Sequence, residues 1–347
     1  MSLSVGIVGL PNVGKSTLFK ALTKNPVAIS NYPFCTIEPN VGIVEVPDER
    51  LEKLQSISQA EKIIPAIVKF VDIAGLVKGA AKGEGLGNQF LAHIREVDAI
   101  LHIVRCFKRE DVSHINQIIN PERDIEIINS ELILKDLETI EKRLEKIASD
   151  VKTEKKEAIE EEKILIQIKE NLEKGKLAIY FSSPSHLFLL TAKPQIYLLN
   201  GKEKEAPNEL KEKLEREKQN YLIIDLQEEL DISELNEEER REFNLKESKL
   251  NILIEKCYNI LNLITFFTIV GKEETRAWPI KKGTKIIEAA ELIHSDFAEK
   301  FILAEVINFE DLIKSGGWKE CQEKGMLKTV GRDELLKNGD IVEIKHH

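Results

Sequence analysis

Apolar and polar positions in the first third of the chain alternate in two rhythms. The runs "SVGIVG", "VGIVEV", "AIVKFVD" and "AILHIVR" read as buried strands, and a helical stretch begins near Gly14 after the first of them. Strands separated by helical patterns predict a mostly parallel sheet with helices on both faces. The runs at 41–46 and 66–72 are close enough in sequence to pair as an antiparallel edge.

From Ile133 the period lengthens. Ile133, Leu137, Ile140, Leu144, Ile147 and Val151 recur at spacings of four and three, and Ala158, Leu165, Ile168 and Leu172 repeat the seam after a charged stretch. That is the pattern of two heptad helices folded into an antiparallel coiled-coil hairpin. The strand rhythm resumes with "KPQIYLLN" and "NYLIIDL" and ends in the amphipathic stretch "LNILIEKCYNILNLI", so the hairpin reads as an insertion. After about Thr265 the runs "FFTIV", "RAWPIKKGT", "KFILAEVI" and "KNGDIVEIK" predict a small α+β unit of strands packed on one helix. The expected organisation is therefore an α/β domain from 1–132 and 185–264, a helical insertion at 133–184, and a closing domain at 265–347.

Composition narrows this picture. At 347 residues, with 42% hydrophobic and 32% charged side chains, the chain is globular and long enough for two or three domains. Its net charge of −10 excludes a surface built as a whole to coat nucleic acid, so any RNA contact must be a local patch such as Lys281, Lys282 and Lys285. The four cysteines, Cys35, Cys106, Cys257 and Cys321, lack disulfide or zinc spacing, which suits a reducing compartment. With no leader-like start and no apolar stretch of the ~20 residues a membrane span requires, a soluble cytoplasmic protein without membrane contact is expected. The terminal pair His346 and His347 is assigned no function.

The chemistry is concentrated in "GLPNVGKST", residues 9–17. Gly9-x-x-x-x-Gly14-Lys15-Ser16 stands after an apolar strand and before a helix, which is the context a phosphate loop needs. Backbone amides there wrap phosphates and the positive helix end adds field. Asn12, Val13, Gly14, Lys15, Ser16 and Thr17 form the expected nucleotide-binding run, with Lys15 on the β and γ phosphates and Ser16 on Mg²⁺. In "FVDIAGL", Asp72 is the carboxylate expected to hold the Mg²⁺ shell, and the Gly75 amide is the group expected to bond the γ-phosphate. The glycine-rich continuation "KGAAKGEGLGNQF" reads as a switch segment, and Thr36 in "NYPFCTIEPN" is the candidate to close over Mg²⁺ and the γ-phosphate.

These segments, together with "DIAGLVKGAAKGEGLGNQFLAHIREVDAI", "RDIEIINSELILKDLETIEKRLEK" and "LITFFTIVGKEETRAWPIKKGTK", resemble the YchF/Obg-like ATPase family over nearly the whole chain. The resemblance implies an α/β P-loop NTPase domain of the Obg type, interrupted by an antiparallel α-helical coiled-coil arm and followed by a C-terminal TGS domain of β-grasp, ubiquitin-like form. It implies ATP, with GTP also accepted, and association with the ribosome or its large subunit through the TGS domain and the arm. Guanine-specific relatives carry N-K-x-D after the corresponding strand, whereas this chain has Asn200, Gly201 and Glu203, the family's N-x-x-E variant. Where the family usually places Ser-Ala or similar at the end of the next strand, this chain has "LIIDLQ", with Ile223 and Ile224 at about that place.

Leu76 follows Gly75 where related GTPases carry a water-orienting glutamine, so slow turnover is expected. The resemblance makes His114 a catalytic candidate beside Lys15 and Gly75; Asn12 is a candidate to help hold K⁺, as such an asparagine does in some phosphate loops of this type. Three functions remain open at this point: a ribosome-associated ATPase switch, a GTP-specific assembly or translation factor, and a nucleotide-stabilised binding module with incidental hydrolysis.

Overall fold

The computed structural model describes residues 3–24, 27–28, 31–32, 38, 40–73, 87–108, 119–181, 183–235, 239 and 248–347, with the Asn88 side chain excepted. Thr36, Gly75, Leu76 and His114, with Cys35, lie outside the described residues.

The first strand, β1 (Ser4–Val8), leads through the glycine loop into α1 (Lys15–Leu22). Next come β2 (Val41–Glu45), α2 (Glu49–Ser58), β3 (Lys62–Ile64), β4 (Ile67–Asp72), α3 (Asn88–Glu96) and β5 (Ala99–Arg105). After the arm the same sheet is completed by β6 (Gln195–Asn200), α6 (Asn208–Arg216), β7 (Asn220–Ile224), α7 (Leu226–Glu234) and α8 (Lys249–Ile260). Its strand order is β2-β4-β1-β5-β6-β7. All neighbours are parallel except β2, which pairs antiparallel with β4 at the edge, as the two adjacent apolar runs predict. Every residue of β5 and β6 is buried, which is why these strands read as continuous apolar runs rather than alternating ones.

The arm consists of α4 (Pro121–Lys152) and α5 (Lys156–Glu173). Asn120 caps the first helix by accepting from the Arg123 amide, and Pro121 occupies its first turn, where a missing amide hydrogen costs nothing. Position 133, where the heptad seam begins, is interior to this helix: its earlier turns bury Ile125, Ile128 and Leu132 against the α/β domain. Ile140, Ile147, Leu165, Ile168 and Leu172 form the seam, flanked by a forked Arg143–Glu161 pair at 2.8 Å for each bond. The expected two-helix hairpin is present, and a third segment covers it. The chain at 177–192 runs back along the hairpin and adds Leu177, Ala178, Leu187 and Leu189 to its core. The buried carboxylate of Asp136 fixes this strap, accepting from the Leu190 and Thr191 amides at 2.8 and 2.7 Å and from the Thr191 hydroxyl at 2.6 Å.

The last part contains β8 (Leu263–Val270), β9 (Glu274–Lys281), α9 (Ile286–Ile293), α10 (Ser295–Glu299), β10 (Phe301–Asn308), α11 (Phe309–Ser315), α12 (Trp318–Glu323), β11 (Lys328–Val330) and β12 (Asp340–His346). It carries four helices where the sequence pattern suggests one. Its sheet has the order β11-β10-β12-β8-β9-β3, so the sixth strand comes from the N-terminal region: Lys62, Ile63 and Ile64 pair in parallel with Glu274, Thr275 and Arg276.

Alternation explains how the two regions join. On β8, Phe266 points into a local core with Trp278, Ile286 and Val306, while its neighbour Phe267 points into the main core shared with the nucleotide-loop sheet. Ala277, Ile307, Phe309, Leu312 and Ile341 face the same way as Phe267. Arg50, on α2, stacks 5.0 Å from the Phe267 ring and hydrogen-bonds Asn338 at 3.3 Å. Among the described residues, no helix is long and apolar enough to cross a membrane.

Candidate functional site

The sheet reverses direction of growth at β1, which has β4 on one side and β5 on the other. Ligands in such sheets sit beyond the carboxyl ends of the strands at that point, and the cleft of about 1090 Å³ opens there. β1 ends at Val8, and the loop turns through Asn12 (φ 62°) and Gly14 (φ 106°) into α1. A Cβ at Gly14 would stand 2.4 Å from the Asn200 amide nitrogen, so glycine is required both for the left-handed backbone and for the approach of Asn200. No side chain caps α1 and no acidic residue stands in its first turn. Its leading amides and dipole are thus directed at whatever anion enters the cleft.

Lys15 is buried, its ammonium donating to the Gly9 and Leu10 carbonyls at 2.9 and 2.6 Å. Burial lowers its pKa to about 8, and the nearby Asp72 carboxylate opposes that shift. Ile7 of β1 stands in register with Asp72 of β4, which sets the carboxylate at the level of the loop's entry. Burial, followed by the Lys15 charge, holds the fully buried His102 down to about 3, so this histidine is neutral at ordinary pH. The exposed Ser16 hydroxyl at the helix start and the buried Asp72 carboxylate are oxygen donors of the kind Mg²⁺ prefers.

The Asn200 side chain is committed at both ends: its Nδ2 donates to the Val13 carbonyl at 2.8 Å and its Oδ1 accepts from the Leu226 amide at 3.0 Å. It ties the phosphate loop to the start of α7. Its carbonyl accepts from the Cys106 and Phe107 amides at 2.9 and 3.3 Å, fixing the turn after β5. Gly201 (φ 152°) lets that turn close, since a Cβ there would lie 3.1 Å from Glu205 and 3.2 Å from the Phe107 amide.

Of the residues selected from the sequence, Asn12, Gly14, Lys15, Ser16, Thr17 and Asn200 line the cleft. Val13 is buried behind it and contributes its carbonyl, and Gly201 shapes the turn. Glu203 does not line the cleft: its carboxylate is 71% exposed and accepts from Lys211 at 3.2 Å. Lys202 and Glu205, on either side of it, do line the cleft, as do Phe107, Lys108, Leu226 and Gln227. Sequence reasoning passed over these residues. The available signal was position, because each follows the carboxyl end of β5, β6 or β7. Ile224 is a core residue and Ile223 packs half-buried, so neither faces the cleft. Among the described residues, no group of histidines, cysteines and carboxylates has the composition of a metal cluster. Of the basic patch, Lys285 is engaged with Asp333 at 2.6 Å and with Glu288 through its backbone.

Residues 4–136 match the MMR_HSR1 family, described as a 50S ribosome-binding GTPase, and residues 263–347 match the YchF-GTPase_C family, described as a protein of unknown function. The chain is 44% identical to the ribosome-binding ATPase YchF of Bacillus subtilis, the alignment covering 99% of each. It is 43% identical to the protein of the same name from Escherichia coli O157:H7, over 99% of this chain and 98% of that one. The solved structure of the Schizosaccharomyces pombe YchF GTPase superposes with a TM-score of 0.88 at 37% identity, covering 99% of this chain and 98% of that one.

Proposed function

The chain belongs to the YchF family, and from that premise we propose that it is a ribosome-associated ATPase whose affinity for its partner is set by the nucleotide in the cleft. The observation that carries the chemistry is the buried Lys15 beneath an uncapped helix start, a cation whose burial the Gly9 and Leu10 carbonyls and Asp72 offset only in part. Ser16 and Asp72 would hold Mg²⁺, with Thr36 completing the shell. That ion neutralises developing phosphate charge when bound. Asn12, which lines the cleft, is the residue on which a K⁺ contribution rests.

ATP is favoured over GTP by the base end of the cleft. It lacks the N-K-x-D aspartate that grips guanine, and Asn200 spends its amide on the loop and α7 instead. Phe107 supplies an aromatic face there, backed by the Arg105 guanidinium 4.5 Å from its ring. With Leu76 in the glutamine position, turnover is slow, and His114 is the candidate group to assist it. Slow hydrolysis suits a switch, because a ligand shifts an equilibrium only by its differential contacts in two states.

Titration of nucleotide-free protein with ATP and with GTP, each with Mg²⁺, tests the substrate. A GTP preference of a hundredfold, about 2.7 kcal/mol, overturns it. Co-sedimentation with ribosomes in the ATP, ADP and nucleotide-free states tests the switch. Binding indifferent both to nucleotide and to Lys15→Ala leaves only a binding module. The rRNA contact proposed for Lys281 and Lys282 is tested in the same assay by charge-reversal at these two positions.

A further inference from the structure

The turn after β6 carries two glutamates two residues apart, and they face differently. Glu203, the residue of the N-x-x-E pattern, turns outward to Lys211. Glu205 lines the cleft with Phe107, Lys202 and Asn200. Its Oε2 accepts from the Lys202 amide at 2.7 Å and lies against Gly201, which has no side chain to obstruct it. Its Oε1 takes part in no hydrogen bond among the described residues. One oxygen of the carboxylate thus holds its own turn, and the other is available on a side chain that lines the cleft.

We infer that Glu205, rather than Glu203, is the specificity-determining carboxylate of this site, accepting one hydrogen bond from the 6-amino group of adenine. The inference rests on the nucleotide reading of the cleft and adds to it the group that selects the base. Guanine offers its donors as a pair, N1–H and the 2-amino group, and satisfying both needs two oxygens side by side. To meet both donors, Glu205 would have to offer guanine the oxygen that already accepts from the Lys202 amide, in the orientation fixed by the turn that Gly201, Phe107 and Asn200 share. At position 6 guanine carries a carbonyl oxygen, which a carboxylate repels. One committed and one available oxygen therefore match a single exocyclic amine. A hydrogen-bonding site of this kind discriminates because a wrong partner leaves a polar group unpaired.

The test is a chemical double-mutant cycle on the full-length protein with Mg²⁺. Dissociation constants are measured for ATP and for purine ribonucleoside triphosphate, which lacks the 6-amino group, on the unaltered protein, Glu205→Gln and Glu203→Gln. The expected result is a preference for ATP of about tenfold or more in the unaltered protein and in Glu203→Gln, reduced to about threefold or less in Glu205→Gln. Discrimination unchanged in Glu205→Gln, or lost in Glu203→Gln, overturns the assignment. If Glu205→Gln does not fold, the unaltered protein still decides, since equal affinity for the two triphosphates overturns the 6-amino contact. Tight binding of both triphosphates without discrimination overturns only the Glu205 inference, whereas failure of both to bind overturns the nucleotide reading itself.

Discussion

Lys15 should make nucleotide binding fall with pH in a window where nothing on the ligand titrates. The pKa of Lys15 is about 8, against 10.5 for a solvated lysine, because burial opposes the charge more than Asp72 supports it. The unfolded chain therefore binds more protons than the folded one between those values, and stability should rise with pH from about 8 to 10.5. The penalty relieved on going from the one value to the other is roughly 3 kcal/mol. A triphosphate against Lys15 supplies the missing negative charge and restores the protonated form, so binding takes up a proton. Between pH 7 and pH 9 the protonated fraction of the free protein drops from about nine-tenths to about one-tenth, and apparent affinity should fall roughly tenfold. Phosphate ionisation lies below this window. Calorimetric titration in two buffers of different ionisation enthalpy at pH 8.5 measures the proton uptake directly, and Lys15→Arg, which does not titrate, should lose the dependence. Affinity constant from pH 7 to 9.5 with no proton uptake would refute the argument.

The remaining predictions concern how the site and its surroundings are held. Asp136→Asn presents an amide to the Leu190 and Thr191 amides, which both donate; hydrogen exchange should accelerate across 177–192, with a loss of about 2–4 kcal/mol and unaltered nucleotide affinity. Gly14→Ala forces a contact with Asn200 at a left-handed φ and should abolish nucleotide binding while the circular dichroism spectrum remains that of a folded chain. An isolated fragment of residues 263–347 leaves Phe267, Ile307, Phe309 and Leu312 uncovered and lacks β3, so it should show no cooperative thermal transition.

Several parts of this molecule are written locally. The phosphate loop is one contiguous run whose glycines, lysine and serine act through the backbone that carries them, and Gly14 to Thr17 stand where that run requires. The arm is legible because a heptad seam needs only neighbouring turns, and Ile140, Ile147, Leu165 and Leu172 are buried together. The buried central strands are legible from unbroken apolarity in "AILHIVR" and "QIYLLN".

Other parts depend on residues distant in sequence. Nothing within "KII" tells that Lys62–Ile64 completes the sheet of β8 and β9, because a three-residue strand has no periodicity of its own and gains its hydrogen bonds from a partner more than two hundred positions away. The strap at 177–192 lacks a helical or strand rhythm and is fixed by one carboxylate, Asp136, through backbone amides that sequence does not distinguish. The same holds at the base end of the cleft. Spacing marks Glu203, yet the turn closed by Gly201 directs Glu203 to Lys211 and Glu205 to the cleft. Sequence order determined which chemistry this chain carries; the direction each side chain faces was decided by long-range backbone pairing, which sets the turns from which those side chains project.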